Sequence, residues 1–232
     1  MRVFLAGATG AIGRRLVPLL LADGHAVTGS TRKEDRAAGL TAQGATPAIV
    51  DFMDAAAARQ AIVAARPEVV IHELTDLPQV RNPTEWPAAL ERNSRLRIVA
   101  TGNLVRAAVE AGAGRVVAQS VAFAYAAGAL PHRERDPINP ASGGVLALER
   151  FVLETPGIVG IVLRYGLLYG PGTWSDRPGA PPAVHVDAAA QATALAVARG
   201  SAGAYNIADN DGAVFIDKAR TELGFDPAFR LD

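Results

Sequence analysis

Cysteine is absent from this chain of 232 residues, which excludes disulfides, thiol nucleophiles and Cys-ligated metal centres. An excess of either charge is also missing. The 23 Lys and Arg are matched by 23 Asp and Glu, so there is neither a basic field for nucleic acid nor an acidic tail. No apolar run approaches the roughly 18 residues that a membrane span needs, and no leader with a small-residue cleavage site opens the chain. A small-molecule or protein partner, no nucleic acid, no membrane and a cytoplasmic location are the expectations, with a small-molecule substrate preferred. The four histidines, His25, His72, His132 and His185, show no ligand spacing, so no metal is expected. There is no Gly-x-Ser-x-Gly elbow, and no Gly-Lys-Ser/Thr follows the first glycines, which disfavours a serine hydrolase of that type and a nucleotide triphosphatase.

What is present is an alternation. Short apolar runs such as RVFLA, HAVTGS, EVVIHEL, RVVAQS and GIVGIVLR read as strands. Between them lie segments of helical period, for example AIGRRLVPLLLADG, DAAAARQAIVAAR, a long one from about 87 to 111, and GGVLALERFVLE. Asp54 reads as an N-cap. Strands separated by helices pair in parallel through crossovers and are covered on both faces. The fold class is therefore α/β.

Three glycines, Gly7, Gly10 and Gly13, stand between the first strand and the first helix in GATGAIG. A helix start offers free N–H groups and a positive dipole end to a diphosphate, and a Cβ at the approach point would hold that group away. The expected dinucleotide contacts are Gly7, Thr9, Gly10, Ala11, Ile12 and Gly13. The second strand ends VTGSTRKED, with Thr31, Arg32 and Lys33 where an NAD site would place a carboxylate. A guanidinium suits a 2′-phosphate, so NADP is preferred and NAD is the alternative. The bland reading of Arg32 and Lys33 is a solvated surface pair. The architecture implied is a Rossmann-type doubly wound parallel sheet over residues 1–165, with residues 166–232 as a small C-terminal α/β lobe, not an independent domain.

Together with VDFMD, VVIHELT, RVVAQSVAFAY, LRYGLLYGPGT and VHVDAAAQA, the glycine loop resembles the extended or atypical short-chain dehydrogenases/reductases of the NAD-dependent epimerase/dehydratase family. The likeness runs over nearly the whole chain. It implies Asp51 and Phe52 at the adenine and Leu74 and Thr75 along the pyrophosphate or ribose. It also implies Arg164, with Gly170–Pro171–Gly172, near the nicotinamide.

The family's chemistry uses a Ser or Thr, a Tyr and a Lys to move a proton. Here those positions fall on Val121, Ala141 and Val145, the last two placed by matching Glu149, and no Tyr-x-x-x-Lys occurs anywhere. Two expectations follow. One is an oxidoreductase or epimerase/dehydratase-like enzyme for a small carbonyl, alcohol or sugar-type substrate, its hydroxyls drawn from Ser120, Tyr125, Tyr165 and Tyr169, with His132 as an ionisable candidate in the loop after the fifth strand. The other is a non-catalytic NADP(H)-binding sensor.

The inserts that would carry a substrate pocket are short. Only SDRPGAPPA separates Trp174 from Val184, so either the pocket is reduced or such segments are not represented in this chain. Ser142 and Asp187 read as helix caps, and Trp86 and Trp174 suit either core or pocket. The face of the long helix bearing Leu96, Val99, Leu104 and Ala108 either packs on the sheet or forms a homodimer.

Overall fold

A computed structural model describes residues 1–78, 80 and 82–231. The strands β1 (Arg2–Ala6), β2 (Ala26–Thr31), β3 (Thr46–Ile49), β4 (Val69–His72), β5 (Arg115–Val121), β6 (Val159–Tyr165) and a late strand Gly203–Ile207 form one parallel sheet. Between the sixth and the late strand come two three-residue strands, β7 (Leu167–Tyr169) and β8 (Ala183–His185), which pair with each other in parallel. The late strand is therefore β9, and the sheet order is β3-β2-β1-β4-β5-β6-β9. This is the Rossmann-like order, with the reversal of strand order beside β1 and β4 where dinucleotides bind.

Among the described residues, six α-helices cover the sheet: α1 (Gly13–Ala22), α2 (Ala37–Ala42), α3 (Ala55–Ala65), α4 (Trp86–Glu110), α5 (Gly143–Leu153) and α6 (Val186–Ala196). Alternation along each strand divides the core. Val3 and Leu5 of β1, Val117 of β5 and Ile161 and Leu163 of β6 pack with Leu16 and Leu20 of α1 and Ala189 and Ala192 of α6. Phe4 and Ala6, Val116 and Ala118, and Val162 face the other way, against Ile62 of α3, Leu104 of α4 and Leu148 of α5. Strands buried on both faces need no polar alternation, which is why they read as continuous apolar runs.

Some local details differ from the expected pattern. The polar segment 33–43 is a turn of 3₁₀ helix at Glu34–Arg36 followed by α2. A π-helical turn spans Ala219–Leu223. Asp54 caps α3, its carboxylate accepting from the amides of Ala56 and Ala57. Ser142 stands at the N-cap of α5 without a side-chain cap bond. Asp187 does not cap α6: the His185 ring accepts from the Asp187 amide and takes that duty. The Asp187 carboxylate is thereby released to bind Arg15. Among the described residues no helix is long and apolar enough to cross a membrane.

Candidate functional site

The chain leaves β1 in a turn whose three glycines have three different reasons. Gly7 has a φ of +93°, and a Cβ there would lie 2.6 Å from the carbonyl oxygen of Glu73. A Cβ at Gly13 would lie 2.3 Å from the Gly7 carbonyl oxygen and 2.7 Å from Ala8 Cα, so this glycine lets α1 close on β1. Gly10 is exposed, and a Cβ there would meet only the Gly7 oxygen, at 3.2 Å. The first two serve the protein's own packing, whereas Gly10 keeps the outer side of the loop bare for an incoming group.

The loop is held from beneath. The Gly7 amide donates to Ser30 Oγ at 3.1 Å, and Thr9 Oγ1 donates to Thr31 Oγ1 at 3.5 Å. Thr31 Oγ1 in turn accepts from the Lys33 amide. At the start of α1 the Arg14 amide donates to Gly10 and those of Arg15 and Leu16 to Ile12. The amides of Ala11, Ile12 and Gly13 have no protein acceptor among the described residues. An uncapped helix start behind a bare glycine is a fitting seat for a diphosphate.

The other residues expected at the cofactor have their own partners or stand exposed. Arg32 is exposed and lies 3.7 Å from Asp76 of the loop after β4, which also lies 3.6 Å from Arg92. Asp51 is exposed and turns its carboxylate to the Met53 amide. Phe52 is buried edge-on against Phe4, its carbonyl held by Asn103. The Leu74 carbonyl accepts from Gln119, and Thr75 is exposed. Arg15 ties the seat to the later loops, donating to the carbonyls of Ala11 and Pro171 and to Asp187. Trp174 continues the same loop, meeting Trp86 edge to face at 5.3 Å and donating to the Pro78 carbonyl.

Arg164 is 5% exposed and points into the sheet's α4–α5 side. It forms a fork on Glu149, Nε to Oε1 at 2.9 Å and Nη2 to Oε2 at 2.7 Å, and its Nη1 donates to Tyr125 and the Glu134 carbonyl. Ser120 donates to Glu149 Oε1 at 2.7 Å, and Tyr125 donates to Asn206 at 2.6 Å while stacking on His132. Burial pushes the Tyr125 hydroxyl upward in pKa despite Arg164 beside it.

Tyr165 lies on the opposite face, bonded to Glu73 and Thr193, and burial and the Glu73 charge raise its pKa well above the usual range. Tyr169, half-buried, donates to Asp209, accepts from Arg230, and has its pKa raised by burial and by Asp209. The structure thus brings Ser120, Tyr125 and Arg164 into one buried network and separates Tyr165 and Tyr169 from it. Each of the four hydroxyls is engaged by a protein partner. Ala141 is exposed at the lip of α5, and Val145 is buried within it.

Glu73 and Arg97 were not singled out from the sequence, and His72 was read there only as a histidine outside any ligand spacing. Glu73 is a buried acid, and burial lifts its pKa to about 8. His72 is fully buried and burial lowers its pKa to about 4, so it is neutral; it accepts from the Leu74 amide and donates through Nε2 to Thr101. Arg97 projects from α4 near both His72 and Glu149. The only signal for Glu73 and His72 was a pair of ionisable residues inside an otherwise apolar strand end, EVVIHEL.

Residues 7–156 match the family described as NAD(P)H-binding. The chain is 43% identical over 188 residues to a 3-diazoavenalumate denitrifying reductase of a Streptomyces species, which covers 77% of this chain and 60% of that protein. It is 31% identical over 180 residues to the dTDP-4-dehydrorhamnose reductase of Streptomyces griseus, covering 74% and 51%. The chain therefore spans about half to three-fifths of the length of these relatives.

Among solved structures, the UDP-glucose 4-epimerase of Thermotoga maritima with UDP-glucose superposes with a TM-score of 0.82 at 17% identity, over 99% of this chain and 94% of that one. The dTDP-glucose 4,6-dehydratase of Streptomyces venezuelae, with NAD and TYD bound, gives 0.78 at 19% identity, over 99% and 93%. Those two likenesses are of fold.

Proposed function

Because the chain belongs to the NAD(P)H-binding family, we propose that it is an NADP(H)-dependent reductase of a small electrophilic substrate, working without a side-chain proton donor. The observation that carries this reading is the open start of α1 behind Gly10. Its free amides would hold the diphosphate. Arg32 would turn from Asp76 to the 2′-phosphate, a fork that suits that group. Asp51 and Phe52 would flank the adenine, and Leu74 and Thr75 the ribose. When bound, the coenzyme supplies a hydride.

The chain's own residues restrict what the substrate is. With Ala141 and Val145 at the positions where the resemblance would place proton-moving groups, and Ser120, Tyr125, Tyr165 and Tyr169 engaged internally, none of these side chains offers a free proton to the crevice. An electrophile that needs no proton at the moment of reduction fits such a site. An arenediazonium is one: its cationic group and a hydride together give a neutral arene and dinitrogen, so atoms and charge balance without a proton from the protein. The reductase relative is named for a diazo substrate, which supports this class. The short loop between β7 and β8, residues 170–182, leaves little chain to enclose a sugar nucleotide.

Calorimetric titration with NADPH and NADH, followed by enzyme-dependent dinitrogen release from benzenediazonium and NADPH oxidation across a carbonyl panel, tests the reading. We expect NADPH to bind more tightly than NADH and diazonium turnover to exceed that of any carbonyl. Failure of both coenzymes to bind would overturn it. Tight binding with no turnover would favour the sensor reading, for which Ala141 and Val145 also speak.

A further inference from the structure

Helix α4 presents Asn93, Arg97 and Thr101 at four-residue spacing, which places them on one ridge. The two ends of the ridge are anchored. Asn93 Oδ1 accepts from the Asp76 amide at 2.9 Å, and Thr101 receives His72 Nε2 at 2.9 Å. Thr101 therefore lies level with the last residue of β4, and Asn93 level with the loop that follows. At about 1.5 Å of rise per residue, Arg97 stands between them, beside the chain as it leaves β4. Helix α5 crosses closely at this height, since a Cβ on Gly144 would lie 2.6 Å from Ser94 Oγ.

Arg97 is half-buried, and it has no hydrogen bond or ion pair among the described residues. Burial lowers its pKa, and Glu149 is the neighbouring charge that opposes this. Glu149, however, is already occupied by both nitrogens of the Arg164 fork and by Ser120. His72, whose pKa is lowered further by Arg97, is neutral. Glu149 is committed to Arg164, so Arg97 has no carboxylate of its own among the described residues. The guanidinium nitrogens are also not sealed: the buried side-chain atom without a partner among the described residues is Glu73 Oε2. A partly desolvated cation that lacks a partner and keeps an open side costs stability, and it is accounted for by an anionic ligand.

The dinucleotide's own charges have seats elsewhere, the diphosphate at the start of α1 on the other face of the sheet and the 2′-phosphate near Arg32 beyond β2. The charge at β4–β5 is left for the substrate, and a planar guanidinium matches a carboxylate in a two-point fork. We propose that Arg97 is a substrate-binding residue that takes the carboxylate of an anionic substrate at the β4–β5 end of the crevice; this rests on the reductase reading for its account of where the coenzyme lies.

Benzoate is the probe, with benzamide as its neutral counterpart, titrated into the full chain alone and saturated with NADPH. The wild type should bind benzoate and not benzamide. Arg97→Gln should weaken benzoate by about tenfold or more, the share of one charge-assisted pair, and Arg97→Lys should fall between. NADPH affinity should stay within about twofold, and thermal stability should not drop in Arg97→Gln, because no partner is lost.

Equal benzoate affinity in wild type and Arg97→Gln, or no benzoate binding in either state, overturns the assignment. So does a marked fall in stability in both variants, which would make the residue structural, or a tenfold loss of NADPH affinity, which would give it to the coenzyme. If NADPH fails to bind while benzoate still binds through Arg97, the reductase reading falls and the carboxylate site stands.

Discussion

The Tyr165 hydroxyl and Glu73 Oε1 are 2.9 Å apart, and the other oxygen of that carboxyl has no partner among the described residues. Among the described residues no cation pairs with the acid. Its neighbours are Tyr165 on β6 and Thr193 on α6, and Thr193 donates onward to the Ala189 carbonyl. With the acid protonated, each hydroxyl in the line Glu73–Tyr165–Thr193–Ala189 has one proton to give and one acceptor to receive it. Burial, opposed in part by the hydrogen bonds to Tyr165 and Thr193, raises the Glu73 pKa to about 8, against a usual 4.5.

This relationship makes stability pH-dependent with a fixed sign. The folded protein holds the Glu73 proton where the unfolded chain has released it, so the contribution is complete below about pH 4.5 and is lost as pH rises through about 8. Glu73→Gln keeps a polar, uncharged side chain. It should match the wild type in acid and exceed it by a few kcal/mol at alkaline pH, at about 1.4 kcal/mol per unit of pKa difference. Urea unfolding followed across that range checks this, and parallel curves for the two proteins would refute it.

The fork between Glu149 and Arg164 is buried, with side chains 8% and 6% exposed. Removing one member strands the other, so Arg164→Met and Glu149→Leu should each cost about 3–5 kcal/mol. The double variant should recover much of that loss, because a well-packed apolar pair replaces two desolvated ions. A double-mutant cycle by chemical denaturation measures the coupling.

Two glycines of the first turn should separate folding from coenzyme binding. Gly10→Ala places a Cβ 3.2 Å from the Gly7 oxygen, which a small shift relieves. Its stability should stay within about 1 kcal/mol of wild type while NADPH affinity falls by about tenfold or more, because the methyl holds the diphosphate off the backbone. Gly13→Ala places its Cβ 2.3 Å from the same oxygen and against Ala8, so it should unfold or strongly destabilise the protein. Thermal unfolding alongside calorimetry reads both.

Arg32 should set the choice of coenzyme. It is more than half exposed and pairs only loosely with Asp76, so Arg32→Asp should leave stability nearly unchanged. NADPH affinity should fall by about tenfold or more from loss of the charge-assisted fork and gain of a repulsive carboxylate, with NADH equal or better. Unchanged selectivity in the two titrations would remove Arg32 from the 2′-phosphate site.

The parts legible in the sequence are those with short range. A parallel strand is one apolar run, a cap such as Asp54 sits two or three residues from its amides, and the glycine turn announces itself by spacing. The β7–β8 pair was not legible: three-residue strands carry no usable period, and their pairing is set by the fold around them. Asp187 looked like a cap because it opens α6, yet His185 two residues earlier takes that bond, and the carboxylate turns to Arg15 across 172 residues of chain.

By itself the sequence determined the alternation of strands and helices, the bare turn before α1 and the lack of any Tyr-x-x-x-Lys, since each is a matter of which residue stands at a given offset from its neighbours. Only the tertiary structure decided which charges meet. It paired Glu149 with Arg164 across two elements, set Glu73 against Tyr165 at a separation of 92 residues, and left Arg97 without a partner among the described residues. The physical reason is that a charge's partner and its degree of desolvation depend on which faces pack together, and no local pattern along the chain records that.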